Sequence, residues 1–275
     1  MNKIKSIKIL VHEGEESYVK SYVEYDENGN ETRKDIYVGP EMLETKTLCR
    51  YNEKGLLIEE INFGEDNEKT DRTTIERDDE GKPLQTIITY ADSSKTIKSY
   101  LRDDNEKSVT ITEESDEGEF ESMDTIFLDK KGNVIKRISY NEDENIIEQN
   151  QFEYNENNDV LKEISFQGEI KVSETHFFYD ENKNLLKRII INNEGETIDW
   201  ALYKYNENGK NIEQQYGDHT LYKMEYNEKG LLVKEQKVNS MGIVDYSKTY
   251  SYNDADLLIE EDDLASKTTY EYEFY

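Results

Sequence analysis

Runs of about nine residues in which apolar and polar positions alternate fill most of the chain. Each run is cut off by a cluster of Asn, Asp, Glu, Lys and Gly. If the residue opening such a cluster is zero, positions +6, +10 and +12 hold Leu57, Ile61 and Phe63; Val134, Ile138 and Tyr140; Val160, Ile164 and Phe166; and Leu185, Ile189 and Ile191. Position −2, of the same parity, holds Phe152, Phe177, Tyr203, Met224 and Tyr250, whereas +9 holds Glu60, Arg137, Glu163, Arg188, Glu235 and Glu261. Strand side chains alternate between faces, so this pattern predicts strands about 30 Å long with one apolar and one polar face. No stretch sustains a helical period.

The clusters repeat. Tyr25, Tyr51, Arg77, Arg102, Leu128, Tyr154, Tyr179, Tyr205, Tyr226 and Tyr252 open ten turns spaced by 25 or 26 residues, except for one interval of 21 between Tyr205 and Tyr226. A second turn lies midway, as at Phe63-Gly64-Glu65-Asp66-Asn67 and Asn192-Asn193-Glu194-Gly195. Gly, Asn and Asp belong there because they tolerate positive φ or fold a side chain back onto the backbone. Repetition at fixed spacing marks a repeat architecture.

Two rows break the alternation. Position +8 shares the parity of the apolar set yet is charged (Glu59, Lys136, Lys162, Lys187, Glu213, Lys234, Glu260), and +7 is apolar (Ile58, Ile135, Leu161, Leu186, Ile212, Val233, Ile259). Either a β-bulge beside the turn flips parity, or the sheet carries weakly apolar patches on both faces.

These elements predict an all-β repeat protein spanning residues 1–275 as one array. It is a long antiparallel meander of about twenty strands forming one coiled or curved sheet, a partial shell, since large open sheets curl. Hydrophobic residues are only 34% and charged residues 35%, too little oil for a thick core but enough for an array in which each unit packs on its neighbours. The terminal edge strands are expected to be guarded by charge, Lys3, Lys5 and Lys8 at one end and Glu271 and Glu273 at the other.

The turn resembles the Tyr-Asp (YD) repeat of the rearrangement-hotspot (Rhs) family of bacterial wall and toxin-shell proteins. Tyr25-Asp26-Glu27-Asn28-Gly29-Asn30 and Tyr179-Asp180 through Asn184-Leu185 come closest, and the resemblance spans about residues 20 to 260. Most copies here carry Asn after Tyr, and no toxin segment follows the last repeat. The resemblance implies a β-shell fold and the company of toxins, not a reaction.

Net charge is −29. That argues against nucleic acid and an anionic membrane surface as partners, and suits either solubility or steering toward a basic protein. Chemistry is sparse. His12, His176 and His219 make no ligand or nucleophile spacing, with His12 and His219 expected in exposed turns, and the lone Cys49 is expected to be buried in the apolar face. Asp26, Asn28 and Asn30 open like a calcium loop, but Tyr37 stands where a bidentate Glu is required. No catalytic group, cofactor or metal site is expected.

A binding surface is expected where the repeat breaks, at Arg77 to Leu128 and in the short unit. The candidates are Tyr203, Tyr205, Tyr216, Tyr222, Tyr226 and Trp200. The tyrosines offer flat apolar bodies with polar tips, or else are the hairpin core. The expected function is a cytoplasmic, non-catalytic acidic module that binds a protein partner, a basic one suiting its charge, in the manner of an immunity or antitoxin protein. The alternatives are an exported adhesion module binding glycan or peptide, and a structural repeat that self-assembles.

Overall fold

The structure, a computed structural model, describes residues 3–263 and 265–275. It contains twenty-two strands and no helix among the described residues. They are β1 Ile4–Glu13, β2 Glu16–Tyr25, β3 Glu31–Gly39, β4 Met42–Tyr51, β5 Leu57–Phe63, β6 Lys69–Arg77, β7 Pro83–Tyr90, β8 Lys95–Asp103, β9 Ser108–Ser115, β10 Phe120–Leu128 and β11 Val134–Tyr140. The remainder are β12 Ile146–Tyr154, β13 Val160–Gln167, β14 Ile170–Tyr179, β15 Leu185–Asn192, β16 Thr197–Tyr205, β17 Asn211–Tyr216, β18 Leu221–Tyr226, β19 Leu232–Val238, β20 Val244–Tyr252, β21 Leu258–Asp262 and β22 Lys267–Phe274. By contacts they fall into two compact units, one of residues 1–100, 113–119 and 249–275, the other of residues 101–112 and 120–248.

In the first unit β1 pairs antiparallel with β2 on one side and with β22 on the other. Neither terminal strand is therefore a free edge, which corrects the expected partial shell with N- and C-terminal edge strands. Of the terminal charges expected to guard edges, Lys5 and Lys8 pair with Glu273 and Glu271, while Lys3 donates to Glu27 O. Lys8 meets its register partner Glu271 at 3.3 Å, and Lys5, skipped at a bulge, meets Glu273 at 3.7 Å, so unlike charges attract across the β1–β22 ladder.

Every well-formed turn uses one scheme. In the copy at Tyr51 the Asn52 N–H donates to Leu56 O at 3.0 Å, the Gly55 N–H donates to Asn52 O at 2.9 Å, and Asn52 Oδ1 accepts from the N–H groups of Lys54 and Leu56. Asp180 does the same for Asn182 and Asn184. Only an Oδ1 acceptor is needed, so Asn and Asp are interchangeable at +1. Position +4 is left-handed, as at Gly55 (φ +73°) and Gly132 (φ +89°), where glycine costs least.

A bulge follows each of these turns. Tyr154 opposes Val160 but Glu153 opposes Lys162, so Leu161 at +7 is the extra residue. The same skip occurs at Thr32, Ile58, Leu84 and Ile259 in the first unit and at Ile135, Leu186, Ile212 and Val233 in the second. It pairs −2 with +9 and −1 with +8. The predicted apolar set is thereby divided: 0, −2, +6 and +9 share one face, and −1, −3, +8 and +10 share the other. Both faces are partly apolar for this reason, and the single greasy face is corrected.

The charged +8 row is explained by the same register, because each member lies opposite −1. Arg33 faces Glu24, Glu59 faces Arg50, Lys162 faces Glu153, Glu213 faces Lys204 and Lys234 faces Glu225. Where −1 is aromatic, a lysine stacks on it instead, Lys136 over Phe127 and Lys187 over Phe178 at 6.0 Å. Among the described residues buried apolar side chains are few (Val11, Val23, Ile138 and Ala201), so cross-strand pairs carry much of the cohesion. Cys49 is half-buried, and His12 lies on β1, not in a turn, bonded to Ser17 and Thr269.

The bulge also explains the tyrosine. The ladder to the next strand starts at +8, as in Lys136 opposite Gln151, so the +6 carbonyl lies beyond it. The next repeat's tyrosine hydroxyl donates to that carbonyl: Tyr154 to Val134 at 2.7 Å, Tyr179 to Val160 at 2.9 Å and Tyr205 to Leu185 at 3.0 Å. In the first unit Tyr51 reaches Glu31 and Tyr272 reaches Leu258, both at 2.8 Å. Arg77, standing where tyrosine is missing, reaches Leu57 O with two guanidinium nitrogens at 3.2 and 3.0 Å. A half-buried carbonyl outside the ladder needs a donor, and the lead residue supplies it.

Candidate binding groove

The short repeat lies within the second unit. Its strands β17 and β18 have 6 residues each, against 9 in β16. Their hairpin runs without a bulge from Glu213 opposite Lys223 to Gln215 opposite Leu221. Tyr216 N–H donates to Thr220 O at 3.0 Å and His219, at φ +66°, closes the turn back onto Tyr216 O at 2.8 Å. A Cβ on Gly217 would meet Asp199 Oδ1 at 2.9 Å and Trp200 N at 3.4 Å, so glycine lets this turn settle against β16.

Beside the shortened hairpin is an open groove of about 680 Å³, lined by Asp199, Asn211, Gln214, Tyr216, Asp218, Thr220, Tyr222, Met224, Tyr226, Glu235 and Lys237. Register shows which predicted residues meet there. Tyr203 opposes Gln214, Tyr205 opposes Asn211, Ala201 opposes Tyr216 and Gln214 opposes Tyr222, which places the five tyrosines on one face. Tyr216, Tyr222 and Tyr226 line the groove; Tyr203 and Tyr205 share its face without lining it. Trp200 opposes Ile189 on the other face, where it borders a separate hollow of about 300 Å³ with Lys187, Thr197 and Leu202 and meets the His219 ring edge-on at 6.1 Å.

A hydrogen-bonded floor fixes the groove. Tyr216 O–H donates to Gln214 Oε1 at 2.8 Å, Gln214 Nε2 donates to Asn211 Oδ1 at 2.9 Å, and Tyr226 O–H donates to Asn211 O at 2.9 Å. Connected polar groups of this kind hold side chains in one arrangement. The Tyr216 and Tyr222 rings stand 5.9 Å apart at 84°, forming a corner of two aromatic walls. Burial raises the Tyr216 pKa, aided by the neighbouring phenols of Tyr203 and Tyr222.

The groove is acidic. Asp199, Asp218 and Glu235 line it together with Lys237. Asp199 bonds the Arg188 guanidinium at 2.9 Å, leaving Arg188 Nε buried without an acceptor. Asp218 is held below its ordinary pKa first by the Thr220 backbone N–H, then by the Thr220 hydroxyl, with a smaller contribution from Lys237. Asn211 and Gln214 were not among the expected site residues. Asn211 carried a signal, since +6 is Leu or Val in the neighbouring repeats and Asn here; Gln214 carried none, because it stands at +9, where the neighbouring repeats hold the polar Arg188 and Glu235.

No family model matches the chain, and no curated protein matches it. Similar solved structures include TcdB2-TccC3 with Cdc42, 13% identical over 89% of this chain at a TM-score of 0.47, and the Photorhabdus luminescens Tc holotoxin pore, 12% identical over 89% at 0.46. The chain spans 15% of the length of each of these. A porin-like protein from Bacteroides uniformis is 10% identical, with 98% of both chains covered and a TM-score of 0.36.

Proposed function

We propose that the chain is a non-catalytic protein-binding module of the YD-repeat type, an acidic β-scaffold whose groove in the short repeat receives a basic partner polypeptide. The carrying observation is that the repeat that loses its regular length is the one that sets an amide, Asn211, at an apolar position and gathers three half-buried tyrosines among carboxylates. Tyr226 holds the Asn211 carbonyl as the other lead tyrosines hold theirs, whereas Tyr216 and Tyr222 are not lead residues and line the groove with their rings. Long-range attraction follows from the net charge of −29, which raises the encounter rate with basic proteins and falls with salt. An immunity-like role, covering a basic toxin, fits this chemistry. Mutual pairing of β1 and β22 occupies the terminal edges, which removes the simplest route to edge-to-edge assembly.

The test is fluorescence anisotropy with labelled hexa-arginine and hexa-glutamate peptides, beside a glycan array. Binding of hexa-arginine alone, weakened at least tenfold between about 50 and 500 mM salt, is expected. Glycan binding without any cationic-peptide binding would overturn the reading in favour of a sugar-binding module.

A further inference from the structure

We infer that the groove is a seat for one arginine side chain of that partner, stacked in the Tyr216–Tyr222 corner in the place beside which Lys237 lies in the unbound chain. The inference deepens the proposed function and rests on it. Three observations converge. First, the chain repeatedly places its own cations on aromatic rings: Arg33 over Tyr22 at 5.4 Å, Lys46 over Phe63 at 5.2 Å, and the two lysines over Phe127 and Phe178. None of the cation–ring contacts among the described residues involves Tyr216, Tyr222 or Tyr226, although these rings stand among Asp199, Asp218 and Glu235. Second, the rings are positioned independently of any ligand, Tyr216 through Gln214 and Tyr226 through Asn211, so seating a ligand costs little ordering. Third, Lys237 is the cross-strand partner of Tyr222 and shares the groove with Asp218, so an internal cation already lies beside the corner.

A planar guanidinium suits the corner better than an ammonium does. It stacks on a ring face while presenting in-plane N–H donors to carboxylates, whereas ammonium is a more strongly hydrated point charge. Lys237 then acts as a competitor: its charge neutralises part of the acidic lining and repels an incoming cation.

The experiment titrates labelled hexa-arginine and hexa-lysine into the intact chain and into Tyr222→Leu, Lys237→Met and Lys20→Met, the last removing the same charge from an exposed lysine in the other unit. Tyr222→Leu is expected to weaken hexa-arginine binding about fivefold to tenfold through loss of the cation–ring contact. Lys237→Met is expected to strengthen it about threefold to fivefold, a gain that misfolding cannot produce, and Lys20→Met is expected to change it by less than twofold. Hexa-lysine is expected to bind at least threefold more weakly than hexa-arginine. If hexa-arginine binds and all three variants bind like the parent, or if Lys237→Met and Lys20→Met have equal effects, the arginine seat is wrong while the acidic-module reading stands. If hexa-arginine does not bind at all, both fall.

Discussion

Replacing Tyr154 by Phe keeps the ring and deletes one oxygen. That oxygen donates to Val134 O at 2.7 Å, a carbonyl beyond the start of the β11–β12 ladder at Lys136 and Gln151. A net hydrogen bond of this type contributes about 1 kcal/mol, and a half-buried carbonyl left without a donor costs about as much. In a chain of this length a 1 kcal/mol loss moves the melting temperature by only about 2 °C. A local measurement is therefore the better assay. Native-state hydrogen exchange at the start of β11 is expected to accelerate about fivefold in Tyr154→Phe, with little change elsewhere, because openings of a repeat array are local. Arg77 supplies the control within the same fold. Its guanidinium holds Leu57 O and also Gly81 O at 3.0 Å, so Arg77→Leu is expected to cost about 2 kcal/mol, whereas Arg77→Tyr restores the hydroxyl used elsewhere and costs less than about 1 kcal/mol. Unchanged exchange in Tyr154→Phe, together with Arg77→Tyr as damaging as Arg77→Leu, would refute the idea that the lead residue is there to satisfy the +6 carbonyl.

The phenols also set an alkaline limit. Tyr51 is raised to about 12, chiefly by burial and then by Cys49 and Glu31, and Tyr154, Tyr179, Tyr205 and Tyr226 are raised chiefly by burial. A folded-state pKa above the unfolded value gives stability that is complete below about pH 10 and lost as pH rises toward 12, so circular dichroism and phenolate absorbance are expected to change together in that window. Glu174 has the opposite sign: the Lys171 hydrogen bond first, then His176 and Lys162, lower it to about 2. Its contribution is present above about pH 4.5 and fades as pH falls toward 2, and Glu174→Gln is expected to cost about 1–2 kcal/mol at pH 7 after solvent screening, read by urea midpoint. Glu59 is buried and held by Arg50 at 2.8 Å and by Arg72; the two arginines are largely exposed, so Glu59→Gln is expected to cost about 1–2 kcal/mol, with no measurable loss counting against a structural ion triad. Gly81→Ala meets Leu56 Cδ1 at 2.6 Å in addition to φ +87°, whereas Gly132→Ala at φ +89° enters open space, so the former is expected to lower the melting temperature by clearly more than the latter.

The strands, turns and spacing were legible because each is written locally: an Asx acceptor at +1, a left-handed residue at +4 and alternation beyond. Face assignment was not, because one inserted residue at +7 inverts parity for everything after it, and only register tells which side of the bulge a residue serves. Phe152 and Ile164 have the parity of a shared face yet oppose Glu163 and Gln151 respectively. The pairing of β1 with β22 was hidden for a related reason. Lysines at one terminus and glutamates at the other satisfy an edge-protection rule taken one end at a time, and only their pairing across the whole chain length distinguishes guards from partners. The groove stands between these cases. Its location followed from the missing residues between Tyr205 and Tyr226, and three of its tyrosines from composition, but of the amides beneath them Gln214 reads as an ordinary polar strand residue, and Asn211 does so until its position is compared with those of neighbouring repeats. In an array where every unit solves the same packing problem, a side chain that departs from the solution is informative in proportion to how strictly its neighbours keep it. Asn211, standing where Leu or Val recurs in the neighbouring repeats, therefore marks the groove more specifically than the tyrosines do, since the hairpins use tyrosine everywhere.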